Sequence, residues 1–389
     1  MAHCEIFVLN FNGLHFLAEC LNSLRSLDSS SHTYCVNVID NGSTDGSVSF
    51  VRENFPEVNV IALGRNYGFA KGNNLGVKHR KKQLRKAARA ADILVFLNND
   101  TAVEKSWLSS AMEVFEKQPD VGIVGSKAVF YDQFALITIL TAQGYDPQQT
   151  PDISLRRKGL FLSSRLAGSN VYADLLRTRL PGAFSFPAEP EGVWLAQESK
   201  LYAAAKDPGK PAAIEFTLVN LDPELNQRPV EVFVNGARQS RTEYLAEYGN
   251  PQAVCVELES SDFRKYIQNA GSYLTHDWLA GDRGFLEEDN GQFDSGERVA
   301  SVCGVSLFIR ESLWRKLGGF DEHYFAYYED TDLSLRARLA GSQCVYCPES
   351  IVRHVHCGSS GGRSDYFTSS ITFSHFIFAS KMMNRRDWK

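Results

Sequence analysis

The chain has 389 residues, 43% of them hydrophobic and 22% charged, and a net charge of −5. That length can bury a large core, and two domains are the default expectation. The mild negative charge excludes a general electrostatic pull toward nucleic acid or anionic lipid, and no apolar run is long enough to be read as a transmembrane helix.

In chain order, the opening Met1-Ala2-His3-Cys4-Glu5 lacks a basic n-region and enters a strand directly, so a cytoplasmic protein is expected. The eight cysteines are scattered. They read as reduced thiols, and Cys344-x-x-Cys347 has no second pair to complete a zinc site. Strands are predicted at Glu5–Phe11, Cys35–Asp40, Val58–Leu63 and Ile93–Leu97, each short and rich in branched residues. Leu17, Cys20, Leu21, Leu24 and Leu27 recur at helical spacing between the first two. A further helix is expected near Lys105–Lys117, with Trp107, Leu108, Ala111, Met112 and Phe115 on one face. Alternating strands and helices predict an α/β fold, a parallel sheet covered on both sides. Gly64–Asn74 reads as a polar loop whose amides can meet a nucleotide or sugar.

From Gln133 to Asp262 the texture becomes β-rich, with runs at Val193–Glu198, Ile214–Asn220, Val230–Val234 and Val254–Leu258. Val230–Val234 alternates faces and then turns at Asn235-Gly236. An all-β, sandwich-like domain over 133–262 is expected, inserted into an α/β domain formed by 1–132 and 263–389. Its role reads as structural or oligomeric, or as an acceptor-binding module with Trp194, Tyr202, Tyr244 and Tyr248 as stacking surfaces. Helices are expected again at Glu311–Leu317, closed by Gly318-Gly319, and at Thr331–Ala340, closed by Gly341. The basic stretch Lys78–Arg89 reads first as a solvated helix face and second as a peripheral contact for anionic headgroups at the inner face of a membrane. The last residues, 380–389, show no clear closing element, so the chain also reads as one module of a longer protein.

The chemistry concentrates at strand ends. Asp40 closes a strand and opens Asp40-Asn41-Gly42-Ser43-Thr44-Asp45-Gly46, where a carboxylate can accept from a base imide or ribose hydroxyl, although turn chemistry selects the same residues. Asp100 follows an apolar strand in Asn98-Asn99-Asp100, at the sheet edge where open α/β folds bind ligands. It can serve Mg²⁺ or Mn²⁺ on a diphosphate, or more simply cap the next helix. Glu329-Asp330 follows the aromatic run Tyr324-Phe325-Ala326-Tyr327-Tyr328. Desolvation there would raise a carboxylate's pKa and suit a general base; helix capping by Asp330 is the plainer role. His354 and His356, at i,i+2 on an extended segment, are expected on opposite faces, with His356 the one reaching a metal. No G-x-G-x-x-G follows the first strand, which argues against a dinucleotide enzyme.

Taken in order, these segments resemble the inverting family 2 glycosyltransferases of GT-A fold, especially bacterial rhamnosyltransferase-like members. The matching pieces are Val8-Leu9-Asn10-Phe11-Asn12-Gly13, Asp40–Gly46, Asn66-Tyr67-Gly68-Phe69-Ala70 with Asn73-Asn74, and Leu97–Asp100. Later come Asn269-Ala270-Gly271, Gly281-Asp282-Arg283-Gly284, Cys303-Gly304, Gly319-Phe320-Asp321-Glu322, Tyr328–Leu333 and His356-x-Gly358-Ser359. The resemblance implies a Rossmann-like nucleotide-sugar domain with Asn10, Asp40, Asn66, Gly68, Asn73, Asn74 and Asn99 on the donor. It further implies Asp100 and His356 at Mg²⁺ or Mn²⁺, and Asp330, with Glu329, as the catalytic acids. The donor would be dTDP-rhamnose or a UDP-sugar and the acceptor a glycan hydroxyl, with an oligomer compatible. Asn98 and Asn99 depart from the family's D-x-D pattern and lower the charge of the site. A degenerate fold acting as a glycan- or partner-binding module is the alternative.

Overall fold

The computed structural model describes residues 2–28, 32–84, 91–141, 160–172, 192–226, 228–356 and 365–383. The described chain separates into two compact units, Met1–Tyr131 with Tyr266–Lys389, and Asp132–Lys265.

The first unit begins β1 (His3–Asn10), α1 (Leu14–Arg25), β2 (Thr33–Asp40), α2 (Ser47–Asn54), β3 (Asn59–Ala62), α3 (Phe69–Leu84), β4 (Ile93–Asn98), β5 (Thr101–Val103), α4 (Trp107–Lys117) and β6 (Val121–Phe130). The second unit holds β7 (Phe134–Thr141), β8 (Leu160–Ser169), β9 (Gly192–Trp194), β10 (Glu198–Ala204), β11 (Ala212–Asn220), β12 (Arg228–Val234), β13 (Ala237–Ala246) and β14 (Pro251–Leu258). The chain then returns through β15 (Ile267–Asn269), β16 (Ser272–Leu274), β17 (Ala280–Asp282), β18 (Glu297–Arg298), β19 (Ser306–Arg310), α5 (Glu311–Leu317), α6 (Glu329–Leu339), β20 (Gln343–His354) and α7 (Asp365–Met383).

In the first unit the sheet order is β18-β20-β6-β19-β4-β1-β2-β3, with β15 against β6 and β5 against β20. Strands β3, β2, β1 and β4 run parallel, while β19 lies antiparallel between β4 and β6. The sheet is therefore mixed, because β19 enters from the edge at which β4 ends. Its central strands are buried on both faces, as parallel strands under helices require. Cys4, Ile6, Val8, Ile93, Val95 and Leu97 join one core with Leu17, Leu21 and Trp107 of α1 and α4. Phe7, Leu94 and Phe96 point the other way, into a core with Ala70, Trp314, Leu333 and Phe378 from α3, α5, α6 and α7.

The polar stretch after β3 is in part a helix, since α3 starts at Phe69 and carries Asn73 and Asn74. Its glycines obscure this, because glycine opposes helix formation. A Cβ at Gly76 would overlap the Ile39 side chain, so the glycine lets α3 approach the sheet. Helix α6 begins at Glu329, two residues before the expected start, with Tyr328 in the left-handed cap position and no side-chain cap. Asp100 does not cap a helix either, for α4 begins at Trp107 behind Ser106.

The second unit is two antiparallel four-stranded sheets, β10-β7-β12-β13 and β14-β11-β8-β9. Ile137, Ile139, Leu201, Ile214, Phe216, Val232, Val254 and Val256 fill its core. Asn235 and Gly236 turn β12 into β13 with φ of 48° and 82°. The run read as one strand from Val193 is two, β9 and β10. Trp194 and Tyr202 are buried and pack edge-on against Phe161 and Phe134, whereas Tyr248 is exposed. The side chain of Tyr244 lies outside the described residues.

Of the basic stretch, Arg80 and Lys81 are engaged by Glu5 and Glu311; Arg85, Lys86 and Arg89 lie outside the described residues. No helix among the described residues is long and apolar enough to cross a membrane. The Glu5 carboxylate is buried in β1 and receives Arg80 Nε at 3.0 Å and Asn37 Nδ2 at 2.6 Å. Removing the guanidinium leaves a buried charge, so Arg80→Met should lower the unfolding free energy by about 3 kcal/mol, and Glu5→Gln/Arg80→Met should regain most of it. Urea titration of both variants checks this; a double variant no more stable than the single one would count against the pair.

Candidate active site

Strands β1, β2 and β4 end together, with Asn10 opposite Asp40 and Leu9 opposite Asn98 in register. Their last residues interlock. Asn99 Nδ2 donates to Asn10 Oδ1 at 2.7 Å, and Asn10 Nδ2 donates to Ser43 Oγ at 3.2 Å. Asp40 Oδ2 accepts from Ser43 N–H, while Asp40 Oδ1 is buried and receives no hydrogen bond. A buried, unmatched acceptor is costly, and at this edge it suits a donor group from a base or ribose.

The next loop is held mainly by its own amides. Asn41 Nδ2 donates to Asn66 Oδ1 at 2.9 Å and to the Gly68 carbonyl at 3.1 Å. Gly68 has φ +77°, and a Cβ there would lie 2.7 Å from the Phe325 ring. Asn74 bonds both the N–H and the carbonyl of Phe320. Asn73 is fully buried, its Nδ2 on the Phe69 carbonyl and its Oδ1 unmatched. Thus Asn66, Gly68 and Asn74 shape the loop, and Asp40 and Asn73 keep acceptor capacity.

Asp100 lies between β4 and β5 and is buried. Its Oδ1 receives no hydrogen bond and lies 3.0 Å from His354 Nε2. His354 ends β20, and the next N–H, of Val355, donates to the Asp100 carbonyl at 2.9 Å. The histidine brought to Asp100 is therefore His354. His356 stands beyond it, joined through Gln268, whose amide lies 2.9 Å from His354 Nδ1 and 2.8 Å from His356 Nδ1. The two rings lie on one side, both at the Gln268 amide, because positions two apart on an extended chain share a face; the expectation of opposite faces is thereby corrected. Gly358 and Ser359 lie outside the described residues.

Asp330 reaches the same edge by a different route. Gly304 N–H donates to its Oδ2 at 2.6 Å, and Thr331 N–H donates to its Oδ1 at 2.6 Å. The residue after Gly304, Val305, accepts Asn98 N–H at 3.0 Å, which ties this carboxylate to the end of β4. Tyr327 and Tyr328 precede the acids with φ of 71° and 67°. That strained turn inserts Glu329 into the interior, where its Oε2 is unmatched. Burial, then the charge of Asp330, pushes the Glu329 carboxyl well above its usual range. Burial also raises Asp330, against the lowering effect of the Gly304 and Thr331 hydrogen bonds. Asp282 is a third acid of this cluster. It accepts Asn269 Nδ2 at 2.6 Å and is raised by lost hydration and then by Asp330, an effect its exposed edge moderates.

The model for glycosyl transferase family 2 matches residues 5–173, and that for glycosyl transferase family group 2 matches residues 266–368. The chain belongs to glycosyltransferase family 2. Its mixed α/β sheet is the GT-A fold. An N-acetylglucosaminyl-diphospho-decaprenol L-rhamnosyltransferase of Mycobacterium tuberculosis is 43% identical over 63 residues, 16% of this chain and 20% of that relative. The chain thus matches one fifth of that relative's length. GalNAc-T7, solved with UDP, GalNAc and Mn²⁺, aligns with a TM-score of 0.47 at 10% identity over 91% of this chain and 44% of its own. The mannosyltransferase PcManGT of Pyrobaculum calidifontis, with GDP-Man and Mn²⁺, gives 0.43 at 12% identity over 99% and 65%.

Sequence reading of this glycosyltransferase missed roles for Gln268, Asp282 and His354. Asp282 and His354 sat inside segments already singled out, but their partners come from distant strands. Gln268 carried no signal beyond a polar residue in an apolar run.

The raised acids set a pH dependence. Between the ordinary carboxylate pKa near 4 and the higher folded values, the native chain holds protons that the unfolded chain has released. Stability therefore falls as pH rises through that window. Asp321 does not interfere: hydrogen bonds from Lys381 and His323 outweigh its burial and hold it far below the usual range, so its window lies lower. Urea midpoints should fall with rising pH, and Glu329→Gln should flatten the slope. An unchanged slope in the variant would exclude Glu329 as its source.

Proposed function

We propose that this family 2 enzyme transfers a sugar, with inversion, from a nucleotide-diphosphate donor to a glycan hydroxyl. The reading is supported chiefly by one juxtaposition: Asp330 is bonded to Gly304, while Val305 is bonded to Asn98, two residues before the unmatched Asp100 carboxylate. Two acids of different environment thus share one sheet edge, as acid/base and charge-binding roles require.

Asp40 Oδ1 accepts a hydrogen bond from the donor's base or ribose. Asn10 and Asn99 hold the ends of β1 and β4 in position beneath it. Asp330 removes the acceptor hydroxyl proton as that oxygen bonds to the anomeric carbon. The bond from that carbon to the diphosphate oxygen breaks on the opposite face, and the nucleoside diphosphate leaves. No enzyme nucleophile intervenes, so configuration inverts. Raised basicity makes Asp330 the stronger proton acceptor.

The residues at Asp100 fit a divalent cation, because a buried carboxylate oxygen without a hydrogen bond faces an imidazole nitrogen. Asp100 and His354 would hold Mg²⁺ or Mn²⁺, with His356 outside that pair. Such an ion supplies charge neutralisation for the leaving diphosphate. The rhamnosyltransferase relative favours a rhamnosyl donor, for which we take dTDP-rhamnose, and a lipid-linked glycan as acceptor; a UDP-sugar is the second choice of donor. Peripheral membrane association would accompany a lipid-linked acceptor.

Asp330→Asn should lower turnover about 10²- to 10⁴-fold while leaving nucleotide affinity nearly intact. Steady-state kinetics with binding titrations test this, and a fully active variant would sink the assignment. A thermal-shift panel of nucleotide sugars with and without Mn²⁺ should yield one metal-dependent stabilisation that Asp100→Ala abolishes. If no nucleotide shifts the protein, a glycan- or partner-binding module becomes the better reading.

A further inference from the structure

We propose that Gln268 is a positioning residue that fixes opposite tautomers on His354 and His356, so that His354 keeps Nε2 unprotonated beside Asp100. The inference rests on the reading of Asp100 and His354 as the cation-holding pair.

A primary amide is asymmetric: its oxygen only accepts and its nitrogen only donates. Gln268 lies in β15, buried as are His354 and Asp100, and both ends of its amide have imidazole partners. Its Oε1 lies 2.9 Å from His354 Nδ1. That nitrogen must therefore carry the hydrogen, and in the neutral ring Nε2 is left bare. Gln268 Nε2 lies 2.8 Å from His356 Nδ1, which must accept, so His356 carries its hydrogen on Nε2. One amide orientation thus dictates both rings.

A second contact agrees with this assignment. Asn98 Nδ2 approaches His354 Nε2 at 3.4 Å, and an amide nitrogen can only donate, which makes Nε2 an acceptor. The unprotonated Nε2 also stands 3.0 Å from the Asp100 oxygen that receives no hydrogen bond. Two acceptors face each other across a gap that only a cation or a proton can make favourable. The opposite amide orientation would put the hydrogen on His354 Nε2 and leave that nitrogen no lone pair to offer a cation. The His356 ring is held in place by Phe130, at 5.8 Å between centroids, and Phe285, at 5.4 Å. Gln268 therefore acts between a strand-end histidine and a ring wedged among aromatics. Outer partners of this kind set the orientation and basicity of ligating imidazoles.

The test is long-range ¹H–¹⁵N correlation spectroscopy on the ¹⁵N-histidine-labelled protein without metal, well above the ordinary histidine pKa of about 6.5. His354→Gln and His356→Gln serve only to assign the resonances. The expected result is an Nδ1–H pattern for His354 and an Nε2–H pattern for His356. Gln268→Glu, which can accept from both rings, should keep the His354 pattern and convert His356 to Nδ1–H. Gln268→Leu should release His354 to the Nε2–H form. Mn²⁺ titration followed by electron paramagnetic resonance should show affinity lowered about 10- to 100-fold in Gln268→Leu and retained in Gln268→Glu. An Nε2–H pattern for His354 in the unsubstituted protein, or one indifferent to Gln268→Leu, would overturn the proposal. The expected tautomers without Mn²⁺ affinity would support the role of Gln268 and remove the cation from the proposed function instead.

Discussion

Two consecutive tyrosines in the left-handed region, Tyr327 and Tyr328, are the constraint on which the site depends. Bulky residues avoid this conformation; each costs about 1–3 kcal/mol and persists only where its surroundings impose it. Here they do. Ser374 Oγ of α7 donates to the Ala326 carbonyl at 2.8 Å, and the Tyr328 ring packs on His375 and Phe378. The Tyr328 hydroxyl accepts from Ala280 N–H. Below the turn, fully buried Asp332 is gripped by Arg336 at 2.6 Å and by Lys381 of α7. The C-terminal helix is thus the clamp of the turn. A relaxed turn would carry Glu329 and Asp330 back toward water and lower the basicity that the proposed chemistry uses.

The opposite side of the site is built from neutral amides. Asn10, Asn41, Asn66, Asn74 and Asn99 bond one another or backbone, which holds several chain ends at one edge without adding charge. The acids are then free to keep unmatched oxygens: one on Asp40, one on Asp100, one on Glu329. In a folded protein nearly every buried polar atom is matched. Three exceptions on acids beside the same sheet edge point to a ligand surface more directly than any single motif does. The replacement of acids by Asn98 and Asn99 also takes on meaning here. Both side chains have structural partners, His354 and Asn10, so the edge is fixed by hydrogen bonds where more charge would need more counter-ions.

Much of the α/β framework was legible in the residues. The alternation of Cys4, Ile6 and Val8 with Phe7 fixes a strand buried on both faces, and the spacing of Leu17, Leu21 and Leu24 fixes the helix above it. Less legible was α3, where Gly72 and Gly76 weaken the helical pattern for a reason that exists only once Leu9 and Ile39 are beneath them. The parallel sheet was over-read, since nothing local in Ser306–Arg310 states the direction in which a strand is inserted.

For the candidate site, local sequence marked the residues on which the proposed chemistry rests: acids and amides at the ends of apolar strands, and acids after an aromatic run. Tertiary structure decided their partners. It brought His354 to Asp100, set Gln268 between two histidines 86 and 88 positions away, and joined Asp330 to Gly304, 26 positions before it. The physical reason is that strand order and register, fixed by the burial of whole faces, choose which strand ends meet. A short-range pattern reports the period of an element and the chemistry at its tip, but the neighbour across the sheet edge exists only after the sheet has closed.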